Sequence, residues 1–129
     1  MTNILVCVTR KPEAAILADA GMELLNSEED KLFIVNLCSY ETYYMNPETR
    51  DSSLDHLYAK AVETGADFRM IRSNNILRSL YNYIIEKDIN EVIIEDAGEF
   101  RVLKGLEKML SDNGYDKVNC NFEPVKKSL

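Results

Sequence analysis

The sequence predicts an α/β protein in which helices cover both faces of a parallel β-sheet. Five short apolar runs with the composition of strands alternate with segments of helical periodicity, in the order β-α-β-α-β-α-β-α-β. Strands separated by helices of about ten residues or more pair in parallel through right-handed crossovers. The runs 4–8 and 92–94 are apolar at every position, as in strands buried on both faces. We therefore expect a three-layer α/β/α sandwich.

The first half of the chain contains two predicted strands and two predicted helices. The first strand, Ile4–Val8, is followed by Pro12, which is tolerated at the first position of a helix. That helix is predicted to extend to about residue 26, and the second strand is Leu32–Leu37. A polar stretch with an Asn-Pro turn signal leads to a helix that Gly65 ends in a left-handed cap. The apolar positions of the two helices are Ala14, Leu17, Leu24 and Leu25 in the first, and Leu54, Leu57, Tyr58, Ala61 and Val62 in the second.

The second half adds three predicted strands and two predicted helices. Phe68–Ile71 is a short third strand, and either Ser73 or Asn75 caps the helix after it. Val92–Ile94 is the fourth strand, and Asn113-Gly114 closes the next helix. The apolar positions of these helices are Ile76, Leu77, Leu80, Tyr81, Ile84 and Ile85, then Phe100, Leu103, Leu106, Met109 and Leu110. The last strand spans residues 117–122, with Val118, Cys120 and Phe122 on one face and Asn119 and Asn121 on the other.

Composition favours one acidic domain in a reducing compartment. The 129 residues include no repeat or linker, so we expect a single domain over residues 1–125 and a short basic tail over 126–129. Fifteen cations against 22 carboxylates give a net charge of −7, which argues against nucleic acid and anionic membranes as partners. No apolar run approaches the roughly 20 residues of a membrane span. Three cysteines without paired spacing argue against disulfides and zinc, and favour the cytoplasm.

Four segments carry a resemblance to a known family: TNILVCVTRKPEAAILADAGMELL, KLFIVNLCS, LYAKAVETGADFRMI and LYNYIIEKDINEVIIED. Over residues 2–97 the chain resembles the universal stress protein superfamily, and most closely the stress-protein-like domain of Kdp-type potassium sensor kinases. The resemblance implies a universal-stress-protein or adenine nucleotide alpha hydrolase-like sheet of order 3-2-1-4-5. It also implies a role in signalling or stress response, and a homodimer formed through the fifth strand.

The family's nucleotide site implies a set of candidate residues in this chain. In the ATP-binding members, the nucleotide lies where strands 1 and 4 diverge. The corresponding positions here are Thr9, Arg10, Lys11, Val35, Asp96 and Gly98. The chain departs from the family in two places. A D-x-S-type segment after the first strand is replaced by Thr9-Arg10-Lys11. The loop G-x2-G-x9-G-[ST] after the fourth strand is not matched, because Gly98 and Gly105 are seven apart and the residue directly after Gly114 is neither Ser nor Thr.

Two interpretations of this edge of the sheet stay open. Arg10 and Lys11 either neutralise the protein's own Glu95 and Asp96, or they bind an anionic ligand. The first predicts a non-enzymatic signalling or interaction module without a cofactor, whose ATP-binding loop is degraded. The second predicts an adenine-nucleotide-binding protein that uses Arg10 and Lys11 for phosphate, with or without Mg²⁺ held by Glu95 and Asp96.

The remaining candidates predict no catalytic constellation and no metal site. The single histidine, His56, falls in a predicted helix, where a solvated surface position is expected. Cys38 ends the second strand and is the thiol we expect to be most accessible.

Two further features suggest protein partners. Tyr40, Tyr43 and Tyr44 follow the second strand, and they either pack on the sheet, bind a partner or stack on a base. The last strand, residues 117–123, is a template for a homodimer that Pro124 limits to a short stretch.

Overall fold

Five parallel strands form one sheet in the order β3-β2-β1-β4-β5. The computed structural model describes residues 2–8, 15–38, 58–59, 61–95 and 105–123. The strands are β1 Asn3–Val8, β2 Lys31–Cys38, β3 Asp67–Arg72, β4 Glu91–Glu95 and β5 Asn119–Glu123. The predicted fold class, strand order and position of every strand are thereby confirmed.

The helices between these strands cover both faces of the sheet. They are α1 Ala15–Glu23, α2 with described residues 58–59 and 61–64, α3 Ile76–Glu86 and α4 Leu106–Asp112. Within the described ranges, no helix is long and apolar enough to cross a membrane. Helix α1 ends earlier than predicted because the N–H groups of Asn26 and Ser27 donate to the carboxylate of Asp30 instead of continuing the helix.

Two apolar clusters, one on each face of the sheet, form the core. Strand alternation sends Leu5 and Cys7 of β1 to the face that α3 and α4 cover, and Ile4 and Val6 to the face that α1 and α2 cover. The first cluster also includes Leu80, Ile84, Leu106 and Leu110 of the helices, and the second includes Ala61. The strands in the middle of the sheet are therefore buried on both sides, as their continuous apolar runs predicted.

The predicted start of α3 and the predicted ends of α2 and α4 are confirmed. The Oδ1 atom of Asn75 accepts from the N–H of Arg78 at 3.1 Å, and the Oγ atom of Ser73 accepts from the N–H of Asn75 at 2.9 Å. Both proposed residues therefore take part in starting α3. Gly65 and Gly114 adopt φ values of +72° and +86°, the left-handed conformation expected after α2 and α4.

Helix α2 lies less deeply against the sheet than its apolar spacing suggested. Ala61 is buried, but the side chains of Tyr58 and Val62 are exposed. The ring of Tyr58 packs edge-on against Phe68, with centroids 6.1 Å apart. Apolar periodicity thus located the helix correctly but overstated how much of it is covered. The predicted positions Leu54 and Leu57 lie outside the described residues.

Asp30 connects the turn after α1 to the first strand, and its role makes a testable prediction. Its carboxylate accepts hydrogen bonds from the N–H groups of Asn26 at 2.8 Å, Thr2 at 2.7 Å and Ser27 at 3.2 Å. These bonds favour the ionised form and lower the pKa of Asp30. We expect Asp30→Ala to lower the melting temperature by a few degrees at pH 7, since the N–H groups lose their acceptor.

The effect of Asp30 should depend on pH in a defined direction. Because its pKa is lower in the folded state than the unfolded value of about 3.9, its contribution to stability is complete above that pH. The contribution is lost as the pH falls through the folded-state pKa. Thermal unfolding of the wild type, Asp30→Ala and the exposed control Glu28→Ala over a pH series measures this. A difference between wild type and Asp30→Ala that does not shrink at acid pH would contradict the assignment.

Candidate functional site

The carboxyl ends of β1 and β4 lie side by side at the point where the chain direction through the sheet reverses. Cys7 of β1 is in register with Ile94 of β4, so Val8 and Glu95 end these two strands at the same level. From β1 the chain continues to β2 on one side, and from β4 it continues to β5 on the other. In open α/β sheets, ligands bind in the crevice at such a switch point. This edge is therefore the candidate functional site.

The loops that carry most of the predicted site residues begin at this edge. Thr9, Arg10 and Lys11 follow β1 directly, and Asp96 and Gly98 follow β4. These five residues lie outside the described residues, as does the tyrosine segment with Tyr40, Tyr43 and Tyr44. What the fold establishes is that the basic loop and the acidic loop begin on neighbouring strands.

Val35 is the predicted site residue that falls within a described strand. It lies in the second half of β2, with no exposed surface, as part of the core cluster on the α3 and α4 face. Its Cα is in register with Cys7 on one side and with Arg69 on the other. Any contact between Val35 and a ligand would have to come from its backbone, and this role stays a prediction.

Two polar residues at the same edge were not among the predicted site residues. Asn36 is 2% exposed near the carboxyl end of β2, in register with Val8 and Met70. Arg72 is the last residue of β3 and is half-buried, with one guanidinium nitrogen 3.9 Å from the sulfur of Met70. A polar residue inside an otherwise apolar strand, as in LFIVNLC, is the sequence signal that could have identified Asn36.

Arg69 and Arg72 alternate in the sequence but do not form a basic patch. Residues three apart on a strand project from opposite faces of the sheet. The guanidinium of Arg69 lies over the ring of Tyr83, 5.6 Å from its centroid, and 4.0 Å from the carboxylate of Glu86. This surface pair is a modest local contact. The strand geometry therefore removes one of the few cationic clusters of the sequence.

The described thiols are poorly suited to nucleophilic chemistry. Cys7 is fully buried, and burial raises the pKa of its thiol well above the ordinary range, with a smaller contribution from Cys120. Cys120 is half-buried, and burial followed by the negative charges of Glu107 and Glu91 raises its pKa to about 12. Both thiols therefore stay protonated at neutral pH. The side chain of Cys38 lies outside the described residues.

Among the residues that the structure describes, no group of three or more His, Cys, Asp or Glu side chains could hold a metal ion. Glu95, one of the two carboxylates considered for Mg²⁺, ends β4 in register with Glu123 of β5. Asp96, the other, lies outside the described residues.

One edge of the sheet is formed by β5, and its polar face is organised as predicted. Asn119 and Asn121 are exposed on one face, and their amide groups donate to the carboxylate of Glu91 at 3.0 Å and 3.4 Å. Cys120 lies on the other face, packed against the core. The predicted alternation of polar and apolar residues is thereby confirmed for residues 118–121, and the side chain of Phe122 lies outside the described residues.

Comparison with solved structures identifies the fold as that of universal stress proteins. A universal stress protein family member from Burkholderia pseudomallei matches with a TM-score of 0.64 at 17% identity, over 95% of this chain and 96% of that one. A universal stress protein in complex with cAMP matches with a TM-score of 0.61 at 12% identity, over 97% and 98% of the two chains. No family model matches the sequence, and no curated protein matches it.

Proposed function

We propose that this chain is a cytoplasmic member of the universal stress protein superfamily that acts as a signalling or interaction module without enzymatic activity. Full-length similarity to two universal stress protein structures supports the superfamily. Within it, the segments ETGAD and YIIEKDINEVIIED favour the subgroup found in Kdp-type potassium sensor kinases. A role in signalling the state of the cell, including the response to stress, follows from this placement.

The observation that carries the proposal is the acidic loop that follows β4. In this position a nucleotide-binding loop uses glycine, because backbone N–H groups can then close on phosphates without side chains in the way. This chain has Glu95, Asp96 and Glu99 there instead. Since β4 neighbours β1, the acidic loop begins beside Thr9-Arg10-Lys11. On this proposal the protein's own carboxylates neutralise these cations, and a triphosphate would meet like charge.

A second candidate function, binding of an adenine nucleotide, is favoured by one structural neighbour. A protein of the same fold has been solved in complex with cAMP. A cyclic monophosphate carries a single negative charge and needs less compensation than ATP. Arg10 and Lys11 could supply it even beside Glu95 and Asp96. This alternative predicts a preference for cAMP or AMP over ATP.

A thermal-shift titration against ATP, ADP, AMP and cAMP, with and without Mg²⁺, separates the two functions. A ligand at about 100 times its dissociation constant would add about 2.7 kcal/mol, which raises the melting temperature by several degrees. We expect no shift with any of the four. A shift with cAMP or AMP that is lost in Arg10→Ala/Lys11→Ala would overturn the leading proposal in favour of nucleotide binding.

A charge-removal variant tests the reason for the expected result. Replacing Glu95 with Ser and Asp96 with Gly frees the cations, so we expect this variant to bind ATP measurably where the wild type does not. The matched control removes two carboxylates far from this edge, Glu28→Ser and Glu29→Gly, in the exposed turn before β2. An equal gain in the control would attribute the effect to net charge and contradict self-neutralisation.

We also propose that two copies associate through the edge strand β5, residues 117–123, and that the segment with Tyr40, Tyr43 and Tyr44 binds a protein partner. The first proposal is supported by the position of β5 at the end of the sheet, with Asn119 and Asn121 exposed. The second rests on the density of tyrosines after β2.

A further inference from the structure

The backbone of β5 offers a defined set of hydrogen-bonding groups to a second strand. The N–H of Asn119 donates to the carbonyl of Asn90 at 3.0 Å, so the polar backbone groups of Asn119 point toward β4. Successive residues of a strand direct their N–H and C=O groups to opposite edges. The groups of Cys120 and Phe122 therefore point away from β4, to the side where the described residues contain no further strand.

An acidic groove lies beside the amino end of this edge. It has a volume of about 570 Å³ and runs between α4, the turn at 115–118 and β5. Among the described residues, its lining includes the carboxylates of Glu91, Glu107 and Asp116 and no Lys or Arg side chain. The ion pairs found within the described residues do not involve these three carboxylates. The negative charges of Glu107 and Glu91 also add to the effect of burial in raising the pKa of Cys120.

We propose that the basic segment Lys126-Lys127 of a second copy docks in this groove and sets the register of an antiparallel β5–β5 pair. The inference rests on the homodimer proposed above and names the contact that would specify it. Within one chain, residues 124–129 follow the carboxyl end of β5, whereas Asp116 and Glu91 lie at its amino end. An antiparallel partner reverses this direction and brings its basic segment to the groove.

The register that satisfies the backbone also matches the charges. When Cys120 of one copy pairs with Phe122 of the other, the outward N–H and C=O groups of both residues are used. Each residue toward the amino end of one strand is then matched by one toward the carboxyl end of the other. The carboxyl-terminal segment of the second copy, which contains Lys126, is thus directed past the amino end of β5 toward the turn that contains Asp116. Pro124 has no N–H to donate, so backbone pairing ends before this contact.

Sedimentation equilibrium at low and high salt tests the proposal. We expect Lys126→Glu/Lys127→Glu to raise the dimer dissociation constant by about tenfold or more, because like charges then face each other. The control Lys31→Glu/Arg78→Glu makes the same change in net charge at exposed positions on other elements, and should leave the constant within about twofold of the wild type. Adding Glu107→Lys/Asp116→Lys to the tail variant should restore dimerisation.

The possible outcomes distinguish this inference from the proposed homodimer. If the wild type dimerises and the tail variant dimerises equally well, the groove contact is overturned and the homodimer stands. If Lys126→Glu/Lys127→Glu weakens dimerisation but Glu107→Lys/Asp116→Lys fails to restore it, the assignment of the groove as the docking site is overturned. A wild type that stays monomeric at the highest concentration overturns the homodimer and this inference together.

Discussion

Replacing Asn3 with aspartate is expected to destabilise the folded protein by about 3 kcal/mol at pH 7, although the two side chains have nearly the same shape. The Nδ2 group of Asn3 donates to the carbonyl oxygens of Lys87 and Asp88, each at 3.1 Å. The residue is only 6% exposed. Aspartate would turn a carboxylate oxygen toward two carbonyl oxygens, so that two hydrogen bonds are replaced by repulsion in a buried position.

Asn3 has this importance because it joins the start of β1 to the turn between α3 and β4, two segments that are distant in sequence. Its backbone N–H donates to Oδ1 of Asn90 at 2.8 Å, and its carbonyl accepts from the N–H of Asn90 at 2.8 Å. Asp88, whose carbonyl it binds, has a φ of +53°, a conformation that few residues other than glycine adopt. The Asn3 side chain therefore stabilises a strained turn between α3 and β4 against the start of β1.

Urea unfolding over a pH series measures the effect. The control is Asn82→Asp, the same substitution at an exposed position of α3, which should change stability by less than about 0.5 kcal/mol. Burial raises the pKa of an introduced carboxyl, so the deficit of Asn3→Asp should grow as the pH rises above about 4. Equal stability of the two variants at pH 7 would show that the Asn3 amide does not stabilise the turn between α3 and β4.

Gly21→Ala is expected to destabilise the protein by up to about 2 kcal/mol, even though alanine is the better helix former. A Cβ atom at position 21 would lie 2.6 Å from a γ-methyl carbon of Val6 and 2.9 Å from a δ-methyl carbon of Leu32. Val6 is buried in the central strand β1 and cannot turn away easily. Overpacking costs about 1–3 kcal/mol in such a core, which exceeds the gain of about 1 kcal/mol in helix propensity.

A second glycine provides a matched control for Gly21. At Gly105 a Cβ would meet only a side-chain carbon of Leu77 at 3.7 Å, an ordinary contact, and the residue already has the helical φ of −78°. Gly105→Ala should therefore leave stability unchanged or raise it by about 0.4–1 kcal/mol. The two variants differ in sign if close packing of α1 is the cause. A stabilising Gly21→Ala would show that α1 can shift away from the sheet at little cost.

The elements of the fold follow from local features of the sequence. The runs 4–8 and 92–94 are apolar at every position and predicted strands buried on both faces. These strands are β1 and β4. Asn75, Gly65 and Gly114 marked helix ends through their own conformational preferences, which need no information about the rest of the chain. Each of these signals lies within a few residues of the feature that it predicts. For that reason one sequence sufficed for the order and the type of the elements.

Contacts between segments that are distant in sequence could be identified only from the tertiary structure. Asn3 and the carbonyls that it binds are 84 and 85 residues apart, and no spacing rule connects them. The roles of Gly21 and Asn36 could not be predicted from spacing either. Gly21 is needed because methyl groups of β1 and β2 lie close to it, and Asn36 is buried at the candidate edge. Tyr58 and Val62 show the reverse, since their apolar character predicted burial that the packing of α2 does not provide.

Part of the candidate site could be predicted from the sequence, and part required the tertiary structure. The sequence by itself determined its chemistry, since the acidic residues after β4 and the cations after β1 are visible without a fold. Only the tertiary structure decided that β1 and β4 are neighbours and end at the same level, that Arg69 and Arg72 do not act together, and that the outer edge of β5 faces an acidic groove. The physical reason is that side-chain chemistry is a property of single residues, whereas proximity is created by parallel strands that the sheet brings together from distant parts of the chain.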